Sequence, residues 1–174
     1  MMITRRTLLG AAILVPLEGL AQTCGKLTDP QTEGPFFKTK SPQRISLLEK
    51  GAPSSLVVTG IVLSAQCKPV AGALLDFWHS DEEGAYDNRG FRYRGHQFAD
   101  AQGRYRLETI VPALYPGRTR HIHVKVQAPG RRVLTTQLYF AGEPGNARDG
   151  LFEPGLVMRM SKPGEGRFDF VVEA

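Results

Sequence analysis

Tyr115-Pro-Gly-Arg-Thr-Arg-His-Ile-His-Val-Lys-Val126 places a tyrosine, two arginines and a His-x-His pair directly ahead of an alternating apolar run. Side chains at i and i+2 of a strand share a face. His121 and His123 are therefore expected to project together, with Ile122, Val124 and Val126 turned into a core. Two imidazoles on one rigid face beside a phenol can hold a metal. The same residues also suit a half-buried strand whose His121, His123 and Lys125 face water, so the neighbouring segments have to decide.

Those segments carry the same β pattern. Leu56–Leu63, Ala73–Trp78, Gln97–Ala99, Arg104–Ile110, Leu134–Phe140 and Arg167–Val172 are apolar or alternating, and turn residues punctuate them. In the last, Phe168, Phe170 and Val172 alternate with Asp169, Val171 and Glu173. Asp100-Ala-Gln-Gly103 reads as a hairpin between its flanking strands. Roughly seven short strands without a long helix predict an all-β protein, an antiparallel β-sandwich with long connecting loops and a short N-terminal arm. The 19 glycines and 12 prolines agree with a turn-rich fold. Residues 22–54 form the arm, with a helical turn expected at Ile45–Glu49, and residues 55–174 form the sandwich. Gly142–Leu156 is a long loop placed to cover a site mouth.

At 174 residues the chain suits one domain with a full core. The net charge of +5 is scattered, apart from Arg118/Arg120 and Arg131/Arg132. That argues for a solvated surface and against a nucleic-acid partner. The N-terminus looks like a targeting segment: Arg5-Arg6 precedes the apolar stretch Leu8–Leu17, and small residues follow at Gly19-Leu20-Ala21. Residues 1–21 are accordingly expected to be a twin-arginine-type signal peptide, cleaved near Ala21. The mature protein would then be periplasmic or extracellular and free of the membrane. Outside the cytoplasm Cys24 and Cys67 could pair as a disulfide, or stay free.

A second phenol narrows the chemistry. Tyr86 lies in the polar loop Ser80-Asp-Glu-Glu-Gly-Ala-Tyr-Asp-Asn88, and Tyr115 sits between prolines that stiffen its backbone. A phenol stays neutral near pH 7 unless a strongly charged cation deprotonates it. Two phenolates would offset most of a 3+ charge, which suits Fe(III) better than Zn(II) or Cu(II). A Zn or Cu hydrolase built on His121 and His123 lacks a third ligand and a general base.

These motifs resemble the intradiol ring-cleavage dioxygenases, the family of catechol and protocatechuate 3,4-dioxygenases. The resemblance runs through Gln31-Thr-Glu-Gly-Pro-Phe-Phe37, Leu75-Asp-Phe-Trp-His-Ser-Asp-Glu-Glu-Gly-Ala-Tyr-Asp-Asn88, Phe91-Arg-Tyr-Arg-Gly-His-Gln-Phe98, Leu114-Tyr-Pro116, Arg118 to Lys125, and Thr135-Thr-Gln-Leu-Tyr-Phe140. It implies a non-haem Fe(III) held by Tyr86, Tyr115, His121 and His123, with Tyr115 and His123 axial. It also implies a catechol-type substrate and O2, with the ring cut between its two hydroxylated carbons to a cis,cis-muconate-type diacid. Tyr115 and a hydroxide would act as bases. Arg118 would steady negative charge on the substrate, and Gln137 and Tyr139 would lie near its pocket. His79 and His96 match no ligand position and are expected to be structural. Catechol and hydroxyquinol members of the family carry a helical dimerisation region. The short arm here leans toward the protocatechuate-like branch or a small exported group and leaves a homo-oligomer open. The competing reading is a non-catalytic, transthyretin-like β-sandwich binding module, since fold alone does not fix function.

Overall fold

The computed structural model describes residues 25–49, 52 and 56–174. The expected signal peptide and Cys24 lie outside the described residues. Cys67 is disulfide-bonded.

Among the described residues, nine strands form two packed sheets. They are β1 Leu56–Ser64, β2 Leu74–Trp78, β3 Arg94–Phe98, β4 Arg104–Thr109, β5 His121–Gln127, β6 Val133–Tyr139, β7 Arg159–Lys162, β8 Glu165–Arg167 and β9 Phe170–Val172. One sheet runs β4-β1-β8-β7, with β9 also paired to β1; the other runs β3-β2-β5-β6. The all-β sandwich expectation holds. The second sheet is antiparallel throughout. The first is mixed, because β8 and β9 both run parallel to β1.

β1 alternates strictly, with Leu56, Val58 and Val62 fully buried. They pack with Leu75, Phe77, Leu107, Ile122, Val124, Val126, Leu138 and Phe170 in one core. This is the period-2 pattern expected of a sheet with one face against its neighbour.

Several local expectations are corrected. Ile45–Glu49 is extended rather than helical: the Leu47 amide donates to the Glu108 carbonyl and the Glu108 amide to the Ile45 carbonyl. Leu47 is fully buried, so core packing overrides any tendency of so short a segment to coil. Asp100–Gly103 does form a tight turn, closed by the Gly103 amide donating to the Asp100 carbonyl. It is not a sheet hairpin, because β3 pairs with β2 while β4 pairs with β1. The turn passes the chain from one sheet to the other.

The expected strand Arg167–Val172 is broken in two. Gly60 allows this: a Cβ there would sit 1.7 Å from the Phe168 carbonyl oxygen. The buried Asp169 carboxylate accepts from the Ile61 amide at 2.9 Å and pairs with Arg159 and Arg167. A charged side chain turned inward replaces the expected in-out alternation. β7, which precedes this break, had no apolar signature and is exposed along its length.

The arm crosses the second sheet and is stitched to it. The Gln31 amide donates to the Thr135 carbonyl, and Thr136 Oγ1 donates to the Asp29 carbonyl. Ser41 Oγ donates to Asp76, and Lys38 Nζ to the Gly90 carbonyl. This cover explains why His121 and His123 are each only 4% exposed. The reading in which they face water is excluded.

Candidate metal centre

The strand register assembles the site. His123 lies opposite Trp78 on β2 and Gln137 on β6; His121 lies opposite Tyr139. Directly opposed residues of an antiparallel pair share a face. The bases of the two tyrosine loops are tied together. The Ala113 amide donates to the Asp81 carbonyl, and Ser80 Oγ donates to the Ala113 carbonyl. Gly84, with φ +84°, permits the closest approach: a Cβ there would stand 2.2 Å from the Leu114 oxygen.

Three donor atoms converge. His121 Nε2 is 3.2 Å from His123 Nε2 and 3.3 Å from the Tyr86 hydroxyl. The tautomer of His121 follows from its other nitrogen. Nδ1 lies 2.7 Å from the Thr119 carbonyl, which can only accept. Nδ1 therefore carries the hydrogen and Nε2 presents a lone pair. His123 Nδ1 is buried with no hydrogen-bond partner. The Tyr115 ring stands edge-on to Tyr86, 5.8 Å between centroids.

Burial shapes the electrostatics. Desolvation drives His121 down to about 4, against the opposing pull of its bond to the Thr119 carbonyl. Desolvation, then the adjacent His121, holds His123 well below the ordinary imidazole range. Burial raises the Tyr86 phenol, while Arg118 and Arg94 pull the other way. The metal-free site is thus a set of neutral donors with lone pairs facing inward. His121 Nε2, His123 Nε2 and the Tyr86 oxygen face one another, and a cation between these atoms would take up their lone pairs. The donor set fits a metal ion. Among the described residues, no group of three or more His, Cys, Asp or Glu could hold one, so a Zn or Cu hydrolase gains no third ligand.

Arg118 borders the site. Its Nε donates to Asp149 at 2.9 Å, and one terminal nitrogen to Gln137 Oε1 at 2.8 Å. Tyr139 Oη is 3.4 Å from the same nitrogen and donates to the Leu151 carbonyl at 2.7 Å. Arg118, Gln137 and Tyr139 are therefore brought together. His79 is buried between Thr109 Oγ1 and the Ser80 carbonyl, and His96 Nδ1 meets Ser41. Both lie in hydrogen-bond networks of their own.

Four contributors were not singled out from the sequence. Phe36 stacks on Tyr86 at 4.4 Å, with planes 11° apart, and meets Tyr115 edge-on. Trp78 lies flat on His123. Arg94 is buried and donates to the carbonyls of Asp87 and Phe36. Asp149 anchors Arg118 from the Gly142–Leu156 loop. Phe36, Trp78 and Arg94 fall inside motif stretches and carry that signal alone; Asp149 has none.

The chain is similar to known dioxygenases. The family model described as Dioxygenase matches residues 32–160. A chlorocatechol 1,2-dioxygenase of Pseudomonas sp. (strain P51) is 33% identical, over 83% of this chain and 70% of its own length. A catechol 1,2-dioxygenase of Acinetobacter baylyi is 30% identical, over 66% of this chain; the match spans only 47% of that longer relative. Among solved structures is the dioxygenase domain of a dioxygenase–carbohydrate-binding protein fusion from Streptomyces sp. SirexAA-E. It superposes with a TM-score of 0.82 at 58% identity, covering 86% of this chain and 99% of that one. The chain belongs to the intradiol ring-cleavage dioxygenase family.

Proposed function

We propose that this protein is a non-haem Fe(III) oxidoreductase that opens a catechol-type ring with O2 between the two hydroxylated carbons, giving a cis,cis-muconate-type diacid. The observation that carries the reading is that His121 Nε2 lies 3.2 Å from His123 Nε2 and 3.3 Å from the Tyr86 hydroxyl. Tyr86, Tyr115, His121 and His123 are the residues that would hold the iron. When bound, Fe(III) supplies Lewis acidity toward the phenols and the catechol oxygens.

The chain's own groups do the rest. Half-buried Tyr115, its Oη held as phenolate in the iron-loaded site, would take a proton from a catechol hydroxyl. Arg118, its guanidinium set by Asp149 and Gln137, steadies the negative charge that develops on the substrate. Phe36 and Trp78 cover Tyr86 and His123 and keep water from them. The non-catalytic binding module gains no support from such a site. Two buried imidazoles nose to nose carry a desolvation cost that a β-sandwich has no structural reason to bear.

Colour tests the assignment. Fe(III)-loaded protein should be burgundy from tyrosinate-to-iron charge transfer, and anaerobic catechol should shift the band. Oxygen uptake should match muconate formation. Colourless protein holding stoichiometric iron would rule out the tyrosinate site. Full turnover in Tyr115→Phe or His123→Ala would contradict the ligand set.

Export belongs to the same proposal. Arg5-Arg6, the apolar stretch Leu8–Leu17 and Ala21 support a twin-arginine signal, and the disulfide-bonded Cys67 suits an oxidising compartment. Among the described residues no helix is long and apolar enough to cross a membrane. The secreted protein should begin at Gln22 by mass, and replacing both Arg5 and Arg6 with Lys should trap it in the cytoplasm.

A further inference from the structure

We propose that Asp149 is the positioning residue of this site, setting both Arg118 and Thr119, the residue whose carbonyl orients His121. The inference rests on the oxygenase reading above. Its ground is one carboxylate with two tasks. Asp149 Oδ2 accepts from Arg118 Nε at 2.9 Å and from the Thr119 amide at 2.8 Å. The carbonyl of the same Thr119 takes the Nδ1 proton of His121 at 2.7 Å. A single oxygen, 26 residues downstream of His123 in the chain numbering, thus reaches the charge-steadying arginine directly and a candidate iron ligand through one residue.

The geometry is built for fixing orientation. The Asp149 side chain is only 2% exposed, so its bonds to Arg118 and Thr119 do not compete with bulk water. Oδ1 accepts from the Leu151 amide at 2.9 Å, and the Asp149 backbone is held by Gly145 and Phe152. The carboxylate is rigid because its own loop is closed around it. Arg118 is then held at both ends of its fork, by Asp149 on Nε and by Gln137 on a terminal nitrogen. Planar guanidinium suits that two-point grip, whereas a lysine ammonium cannot reach both partners.

Asn at 149 is nearly isosteric but cannot accept along both edges. Whichever way the amide turns, an NH2 group faces the Leu151 amide or the Arg118–Thr119 pair. A direct partner of a metal-ligating imidazole, as the Thr119 carbonyl is of His121, changes metal affinity or activity by roughly tenfold to a hundredfold when disturbed, and Asp149 acts on it through one residue.

The test uses the Fe(III)-loaded protein with catechol, comparing wild type, Asp149→Asn, Arg118→Ala and the double variant. Asp149→Asn should lower kcat/KM by at least about tenfold. If Asp149 acts through Arg118, the double variant should fall no more than about threefold below Arg118→Ala alone. Wild-type kcat/KM in Asp149→Asn, or a double variant whose losses multiply, overturns the proposal. The branch through Thr119 has its own readout, the rate at which a chelator strips iron. Asp149→Asn should lose iron about tenfold faster; release at the wild-type rate overturns that branch.

Iron release needs no turnover, so it separates this proposal from the oxygenase reading. Wild-type protein that binds iron but leaves catechol intact sinks the reaction, not the Thr119 link. Should Asp149→Asn fail to fold, Arg118→Lys keeps the charge and leaves Asp149 in place. A loss of kcat/KM there supports a guanidinium held in a set orientation, and a wild-type value overturns it.

Discussion

Trp78 and His123 lie face to face across β2 and β5, ring centroids 4.8 Å apart and planes within 6°. The indole is 1% exposed, and its Nε1 is buried without a partner. A Trp that leaves its N–H unpaired is held there for its surface rather than its polarity. Here that surface sets the plane of an imidazole whose Nδ1 has no hydrogen bond to do so.

Trp78→Ala should therefore cost about 3–5 kcal/mol of folding stability, the usual range for a large buried aromatic, read by chemical denaturation. Trp78→Phe should fold with a much smaller loss, yet release iron faster because a smaller ring holds His123 less firmly. Iron retention equal to wild type in Trp78→Phe would remove the orienting role and leave only packing.

The two tyrosine loops give a second expectation. At Gly84 an added Cβ meets the Leu114 carbonyl 2.2 Å away, and φ is +84°. Backbone cannot yield as a flexible side chain can, so Gly84→Ala must separate the loops bearing Tyr86 and Tyr115. The strained backbone alone costs roughly 1–3 kcal/mol. The tyrosinate charge-transfer band should weaken or shift even in folded protein. An unchanged spectrum would show that the loops approach each other for reasons unrelated to the phenols.

Some of this arrangement was legible in the sequence. The strands around Ile122, Val124 and Val126 were visible because β-branched residues at period 2 have one sensible packing, and the His-x-His face followed from the same rule. Tyr86 and Tyr115 stood out by chemistry and motif. What covers that face was not legible, since it depends on hydrogen bonds between residues more than 100 apart, such as Gln137 Nε2 donating to the Thr32 carbonyl. The turn at Asp100–Gly103 shows a related limit. Local turn chemistry is identical whether the next strand pairs with the last one or crosses to another sheet. Asp169 shows a third: a lone acidic residue in an apolar run looks solvent-facing until Ile61, Arg159 and Arg167 supply its partners.

Acid sensitivity follows from His79. Burial lowers it to about 4, only partly offset by its bond to the Ser80 carbonyl. An imidazole in the unfolded chain titrates near 6.5. Between those values the unfolded chain binds a proton that the folded chain refuses, so stability is complete above about pH 6.5 and is lost as pH falls toward 4. A shift of that size is worth on the order of 3 kcal/mol. In iron-free protein, His79→Gln should narrow the difference in unfolding free energy between pH 7 and pH 4.5, leaving the part due to His121 and His123. An identical pH dependence in the variant would assign the effect elsewhere.

Phe36 provides the most direct test of what the arm contributes. Its carbonyl accepts from Arg94 at 2.5 Å, and its ring lies on Tyr86 with planes 11° apart. Arg94 thereby pins the arm where its aromatic ring shields a phenol. The ring is only half-buried and sits outside the main core, so Phe36→Ala should fold. The lost aromatic pair is worth about 0.5–1.5 kcal/mol beyond its burial. Water reaching the Tyr86 oxygen would hydrogen-bond to it and compete with a cation for its lone pairs. The expected signature is a shifted charge-transfer band and faster iron loss at nearly unchanged thermal stability. If Phe36→Ala instead lowers stability by several kcal/mol and leaves the band in place, the arm is a structural strap and the shielding of Tyr86 comes from elsewhere.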